Sequence, residues 1–349
     1  MAPEAESPTQ ATAQTFPCSQ CGADLVWSPT SNTLKCPYCG FTQEVSAADN
    51  VAEKDLQAAV APAPLLGWGS ARKSYRCSCC GAVQSLPPEL KASSCAFCGT
   101  PAVLELPENQ KLLRPQGVLP FRISRQQALE QFRGWLRSLW FRPNQLAERA
   151  ELEGIRGVYV PFFTFDADTV THWTAESGQR VGSGKNARIL WTPVAGTLVH
   201  RFDDLPVPAS RGLNPALAQE LEPFPTQQLL AYDASFLSGF LAEEYGLSLE
   251  EAWRRAHERM QQTLYAACRA EVPGDLCRNL KLQTKFSGEK FKTGLLPIWV
   301  AAYRYGNRSF QYLVNGATGK AAGTAPWSWV KIGLAILVAL ILLLWLFSS

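Results

Sequence analysis

The longest apolar run of the chain lies at its C-terminal end, where residues 332–347 hold sixteen consecutive apolar or glycine positions. Counted back to Trp327 across Lys331, the run reaches 21 residues. At ~1.5 Å per residue this makes about 31 Å, enough to cross a hydrocarbon core. The pattern predicts a single transmembrane helix over 327–347, with Trp327, Trp329 and Lys331 as interfacial anchors. Upstream, Ala128, Phe132, Trp135, Leu136 and Leu139 recur at helical spacing behind a capping box of Ser124 and Gln127. A second capping box, Ser248 with Glu251, opens a helix that runs to about Ala270. Residues 157–165, 189–202, 294–305 and 309–314 read as strands, with turns at Gly306-Asn307 and Asn315-Gly316. Pro161 predicts an edge or a strand start. Residues 157–163 and 294–300 share a glycine, an apolar pair and a proline, which suggests two degenerate α+β repeats. No βαβ alternation occurs, so the expected class is α+β with a mostly antiparallel sheet.

The N-terminal third follows a different rule. Cys18-x2-Cys21, fourteen residues and Cys36-x2-Cys39 form one set; Cys77-x2-Cys80, fourteen residues and Cys95-x2-Cys98 form another. The sets lie 59 positions apart and share neighbours: Gly22-Ala23 matches Gly81-Ala82, and Tyr38-Cys39-Gly40 matches Phe97-Cys98-Gly99. This is an internal duplication. A C-x2-C turn places two thiolates on one tight knuckle, and two knuckles close a tetrahedral zinc site. Residues 25–27, 28–32 and 33–35 read as strand, turn and strand, the layout of a small rubredoxin-like zinc ribbon.

Two structural Zn²⁺ ions are therefore expected, one on Cys18, Cys21, Cys36 and Cys39 and one on Cys77, Cys80, Cys95 and Cys98. Four protein ligands leave no open coordination position for hydrolysis. A ribbon this short has no adequate core, and metal binding worth ~10–16 kcal/mol supplies its folding energy. Cys79 is an extra thiol, since only Cys77 keeps the x2 spacing to Cys80. Cys268 and Cys277 read as structural cysteines. The N-terminal residues MAPEAESPTQATAQ have no basic n-region and no apolar h-region, so a secretory signal, and with it a disulfide framework, is not expected. Zinc thiolates need a reducing compartment, and Lys320 and Lys331 precede the apolar run. Both place the bulk of the chain in the cytoplasm, as a single-pass protein of the inner membrane.

The resulting organisation is a disordered N-terminus (1–15), zinc ribbon 1 (16–45), a Pro- and Ala-rich linker (46–71) that lets the ribbons move, and zinc ribbon 2 (72–106). The α+β domain (107–325) and the span (327–347) follow. The net charge is only +3, which excludes a polybasic binder. Residues 1–60 carry 2 basic against 7 acidic groups, and residues 61–160 carry 13 against 7. Arg72, Lys73, Arg76 and Lys91 form the candidate basic patch beside ribbon 2; Arg125, Arg133, Arg137 and Arg142 read as a solvated helix face.

Catalytic signatures are missing. Gly184-Lys185 and Gly319-Lys320 are followed by Asn186 and Ala321, so neither completes a P-loop. The three histidines, His172, His200 and His257, belong to no HExxH motif, and no G-x-S-x-G occurs. Asp166 with Asp168, and Asp203 with Asp204, read as turn residues.

Taken with Leu119-Pro-Phe-Arg-Ile-Ser124, Ser238-Gly-Phe-Leu-Ala-Glu-Glu-Tyr245, Leu296-Pro-Ile-Trp299 and Asn315-Gly-Ala-Thr-Gly-Lys320, these features resemble a family of bacterial membrane-anchored tandem zinc-ribbon proteins. Its members carry names such as transcription factor IIB-type zinc-ribbon protein or primosomal protein N-prime (replication factor Y)-like protein. The resemblance covers nearly the whole chain. It implies cytoplasmic ribbons held at the membrane and, in some members, association with phage-shock-protein A-type envelope-stress components. It implies no helicase activity here, because the ATPase motifs are missing. The expected function is a non-enzymatic, tail-anchored adaptor whose ribbons bind protein partners at the lipid bilayer, with no nucleotide. One alternative is a nucleic-acid-binding zinc-ribbon protein tied to replication or transcription, without ATPase activity of its own. Another is an enzyme with its site among Tyr159, Phe163, Trp173 and Trp191.

Overall fold

The computed structural model describes residues 16–45, 51–58, 73–86, 94–101, 103–106, 113–139, 142, 155–182, 187–305 and 308–348. Three short strands, β1 (Val26–Ser28), β2 (Thr33–Lys35) and β3 (Thr42–Gln43), form a small antiparallel sheet. A 12-stranded sheet takes the rest. Its members are β4 (Lys54–Asp55), β5 (Lys73–Cys77), β6 (Val83–Leu86), β7 (Val103–Glu105), β8 (Gly117–Val118), β9 (Arg156–Val181), β10 (Arg188–Pro208), β11 (Leu230–Ala231), β12 (Leu241–Glu243), β13 (Leu276–Tyr305), β14 (Arg308–Asn315) and β15 (Ala321–Gly323). The helices are α1 (Arg125–Ser138), α2 (Pro215–Glu220), α3 (Leu249–Glu271) and α4 (Trp329–Ser348).

The expected α+β class is corrected: the chain is mostly sheet. The strands read at 157–165, 189–202 and 294–305 are parts of much longer ones. β9 and β13 pair antiparallel from Arg156↔Val300 to Gly178↔Leu276, and β10 lines the other side of β9. At ~3.3 Å per residue β9 extends about 85 Å. Along it, exposed Asp168, Val170, His172 and Thr174 alternate with buried Thr169, Thr171, Trp173 and Ala175. Helix α3 covers the buried face with Ala252, Ala256, Met260, Leu264 and Cys268, every fourth residue, packed against Phe163, Phe165 and Ala167 and then Trp173 and Ala175.

Pro161 stands inside β9, not at its start. On one side β9 passes from β12, which pairs with Val158 and Tyr159, to β10, whose last pair is at Phe162. Pro161 falls at this change of neighbour, where no ladder donor is required, and its carbonyl accepts from Ala209 N–H at 2.8 Å. Pro297 does the same in β13, between the β8 pairs at Gly294 and Leu295 and the β14 pairs beginning at Ile298. Its carbonyl accepts from Gly316 N–H at 2.8 Å. The two similar segments lie side by side, with Gly157 opposite Trp299 and Gly294 opposite Phe162.

Both cysteine-bearing segments are joined to this sheet. β5, β6 and β7 are part of it, because Ser85 and Gln84 of β6 pair with Ala242 and Glu243 of β12. The first segment packs Leu25, Trp27 and Leu34 into a core shared with Phe121, Phe236 and Trp299. The first segment is thus packed against the sheet, and the second is paired into it. Residues 46–50 and 59–71 of the expected linker, and the expected disordered residues 1–15, lie outside the described residues.

The expected transmembrane helix is also corrected. Among the described residues no helix is long and apolar enough to cross a membrane. The single-pass inner-membrane placement falls with it. Of the expected anchors, Trp327 lies under the Arg142 guanidinium at 3.9 Å, and the Lys331 N–H donates to Ser328 Oγ at 3.5 Å. The Trp329 side chain lies outside the description.

Candidate metal centres

Four knuckles repeat one geometry. In each, the glycine after the second cysteine donates its N–H to the carbonyl of the first: Gly22 to Cys18, Gly40 to Cys36, Gly81 to Cys77 and Gly99 to Cys95, at 2.8 to 3.2 Å. All four glycines hold φ between 69° and 78°, a conformation closed to most side chains. The first cysteine then donates its own N–H two residues past the second: Cys18 to Ala23, Cys36 to Phe41, Cys77 to Ala82 and Cys95 to Thr100, at 2.7 to 2.9 Å.

The knuckles close in pairs. The Sγ atoms of Cys18, Cys21, Cys36 and Cys39 all lie within 4.8 Å of one another, as do those of Cys77, Cys80, Cys95 and Cys98. Cys18 to Cys39 and Cys21 to Cys36 are each 3.5 Å; Cys77 to Cys98 is 3.6 Å and Cys80 to Cys95 is 3.7 Å. A Zn–S bond of ~2.3 Å requires tetrahedral edges of about 3.8 Å. The donor set and its spacing therefore fit two zinc ions, one per group.

Crowding four thiols also separates their protonation. The backbone N–H of Cys39 pulls the Cys36 thiol down to about 6, and the Cys80 thiol pulls Cys95 down to about 5. Their neighbours move the other way: Cys80 is raised, chiefly by its bond to Cys95, and burial pushes Cys98 up to about 12. Without a cation, each cluster holds too much negative charge for all four thiolates; a divalent metal removes that conflict.

Burial separates the two centres. Cys18, Cys36, Cys77 and Cys95 are buried, but Cys21 and Cys39 are exposed whereas Cys80 and Cys98 are half-buried. The second centre is held by polar side chains that the sequence does not single out. Gln84 accepts from Ala96 N–H at 2.9 Å, and Gln311 donates to the Phe97 carbonyl at 2.7 Å. Beside Gln84, Glu243 accepts from the N–H groups of Arg211 and Gly212 at 3.2 and 3.3 Å, and burial pushes its carboxyl up to about 8.

The other candidates disperse. Cys79 is exposed and outside the ligand cluster, while Cys268 is buried with Cys277 packed against its cluster. In the basic patch, Lys73 lies 3.9 Å from Glu105 and Arg76 is exposed; Arg72 and Lys91 lie outside the described residues. Tyr159 and Phe163 are core aromatics, Trp173 donates to Glu271, and Trp191 stacks under Arg278 at 4.0 Å. The aspartates read as turn residues are instead in strands: Asp166 accepts from Asp204 N–H, and Asp204, at a bulge in β10, lies 2.8 Å from Lys292.

These features are those of a protein with two tetracysteine groups, each compatible with one zinc ion, one built into the long-stranded sheet and the other packed against it. The chain is 28% identical over 228 residues to an uncharacterized protein, YdjG, of Bacillus subtilis (strain 168). The alignment covers 63% of this chain and 66% of the relative, just under two thirds of its length. No family model matches the chain. No solved structure matches it.

Proposed function

We propose that the chain is a non-enzymatic adaptor whose first zinc ribbon binds a protein partner. The observation that carries this reading is Tyr38. It sits between the ligands Cys36 and Cys39 with 82% of its surface exposed, on a knuckle fixed by its own metal centre. A rigid, exposed aromatic is the residue type that anchors protein interfaces. Closed tetrathiolate sites offer zinc no position for substrate, which supports a binding role over hydrolysis. An envelope-stress component of the phage-shock-protein A type is the partner implied by the family that the motifs resemble.

The test is in-cell crosslinking and mass spectrometry of the native chain beside Tyr38→Ala and a Cys36→Ser, Cys39→Ser variant. A discrete set of partners lost in both variants is the expected result. Capture of the same partners by all three chains contradicts the reading.

A further inference from the structure

Between the two ribbons lies a half-open cleft of about 620 Å³, within the ~300–1,000 Å³ range of ligand sites. Trp27, Phe240 and Trp299 give it apolar walls, and Gln84, Arg125 and Arg156 give it polar ones. No Asp or Glu occurs among the described residues that line it.

Arg125, Arg156 and Gln84 each keep donor capacity to spare. Arg125 opens α1, whose first turn has no acidic residue, and its Nε donates to the Ile155 carbonyl at 3.3 Å. Arg156 donates to the Ser94 carbonyl and hydroxyl at 3.2 and 2.8 Å. Neither guanidinium forms an ion pair among the described residues. A guanidinium has five N–H donors, so both keep donors unspent. Gln84 is only 1% exposed; its Oε1 holds Ala96, and its Nε2 has no acceptor. An unmade buried donor is costly and marks a place where an acceptor is missing.

We infer that this cleft binds an acidic peptide segment: a few extended residues with a carboxylate beside an apolar side chain. Arg125, Arg156 and the positive end of α1 receive the carboxylate. The Gln84 amide takes a peptide carbonyl, and the apolar side chain lies against Trp27, Phe240 and Trp299. Charge complementarity commits the occupant to an anion, and the position between two ribbons commits it to a segment of the protein partner. The inference deepens the adaptor reading and rests on it.

The test uses the full, zinc-loaded chain and fluorescence anisotropy of a fluorescein-labelled peptide of alternating leucine and aspartate, with an asparagine-for-aspartate copy as control. The aspartate peptide is expected to bind at least about tenfold more tightly than the copy. Arg125→Gln, Arg156→Gln and Gln84→Glu, each checked for two bound zinc ions, weaken it by about tenfold. Arg125→Lys keeps the charge and much of the binding. Equal binding of the two peptides, or binding that survives both arginine-to-glutamine changes, overturns the assignment. Displacement of the peptide by equimolar acetate or phosphate assigns the cleft to a free small anion and overturns the peptide. Loss of peptide binding with partner capture intact fails the cleft alone; peptide binding with no captured partner fails the adaptor reading alone.

Discussion

Tyr38 and Phe97 occupy the same position of duplicated knuckles, one residue before the last cysteine of each set, yet Tyr38 is 82% exposed and Phe97 is 0% exposed. Phe97 packs against Gly212, where an added Cβ would lie 2.5 Å from its ring. The duplicated unit has been put to two uses: the second ribbon is part of the sheet, and the first turns its aromatic to solvent. Phe97→Ala is expected to cost about 3–5 kcal/mol of stability. Tyr38→Ala is expected to change stability by less than about 0.5 kcal/mol while weakening partner capture. Paired denaturant titrations of the two variants check the contrast.

Zinc release is expected to occur in two steps. The first centre has two exposed ligands and the second has none, so a chelator reaches Cys21 and Cys39 first. A chromogenic zinc chelator followed over time measures the order. Simultaneous release contradicts the prediction.

Ribbon 1 is fastened to the sheet by Trp27, whose indole donates to the Phe121 carbonyl at 3.2 Å and whose N–H donates to the Ser238 carbonyl at 3.1 Å. Trp27→Phe keeps most of the apolar surface but leaves the Phe121 carbonyl without this donor, a cost of about 1–3 kcal/mol. Two zinc ions should remain bound. Hydrogen exchange in β1 and β2 should rise while β9 and β13 stay protected, which distinguishes undocking of the ribbon from global unfolding.

The α3 stripe holds the extended strands flat against one helix. Met260 is fully buried at its centre, between Ala256 and Leu264. Met260→Ala is expected to cost about 2–5 kcal/mol, read as a lower denaturation midpoint with zinc content unchanged.

The sequence carried its local signals faithfully. The knuckle glycines adopt positive φ, and both capping boxes form, with Gln127 accepting from Ser124 N–H and Glu251 from Ser248 N–H. Asn315 makes its turn: its Oδ1 accepts from Ala317 and Thr318, and its Nδ2 donates to the Leu221 and Pro223 carbonyls. What depends on distant pairing was hidden. The outer half of β9 exposes Asp168 and His172, and that of β13 exposes Lys281 and Lys285, so neither stretch reads as an apolar strand. Pro161 and Pro297 argue against strand interiors until the changes of neighbour beside them are known. Gln84 and Glu243 are polar residues in short strands, and nothing in their sequence neighbourhood marks them as supports of a metal centre.

The account rests on two closed tetrathiolate centres, and sulphur coordination measures them most directly. Zinc K-edge X-ray absorption on the purified chain, with metal content determined on the same sample, is expected to give two zinc ions per chain. Each should show four sulphur ligands at about 2.3 Å and no oxygen or nitrogen shell. Fewer than two ions, or a light-atom ligand on either, contradicts it.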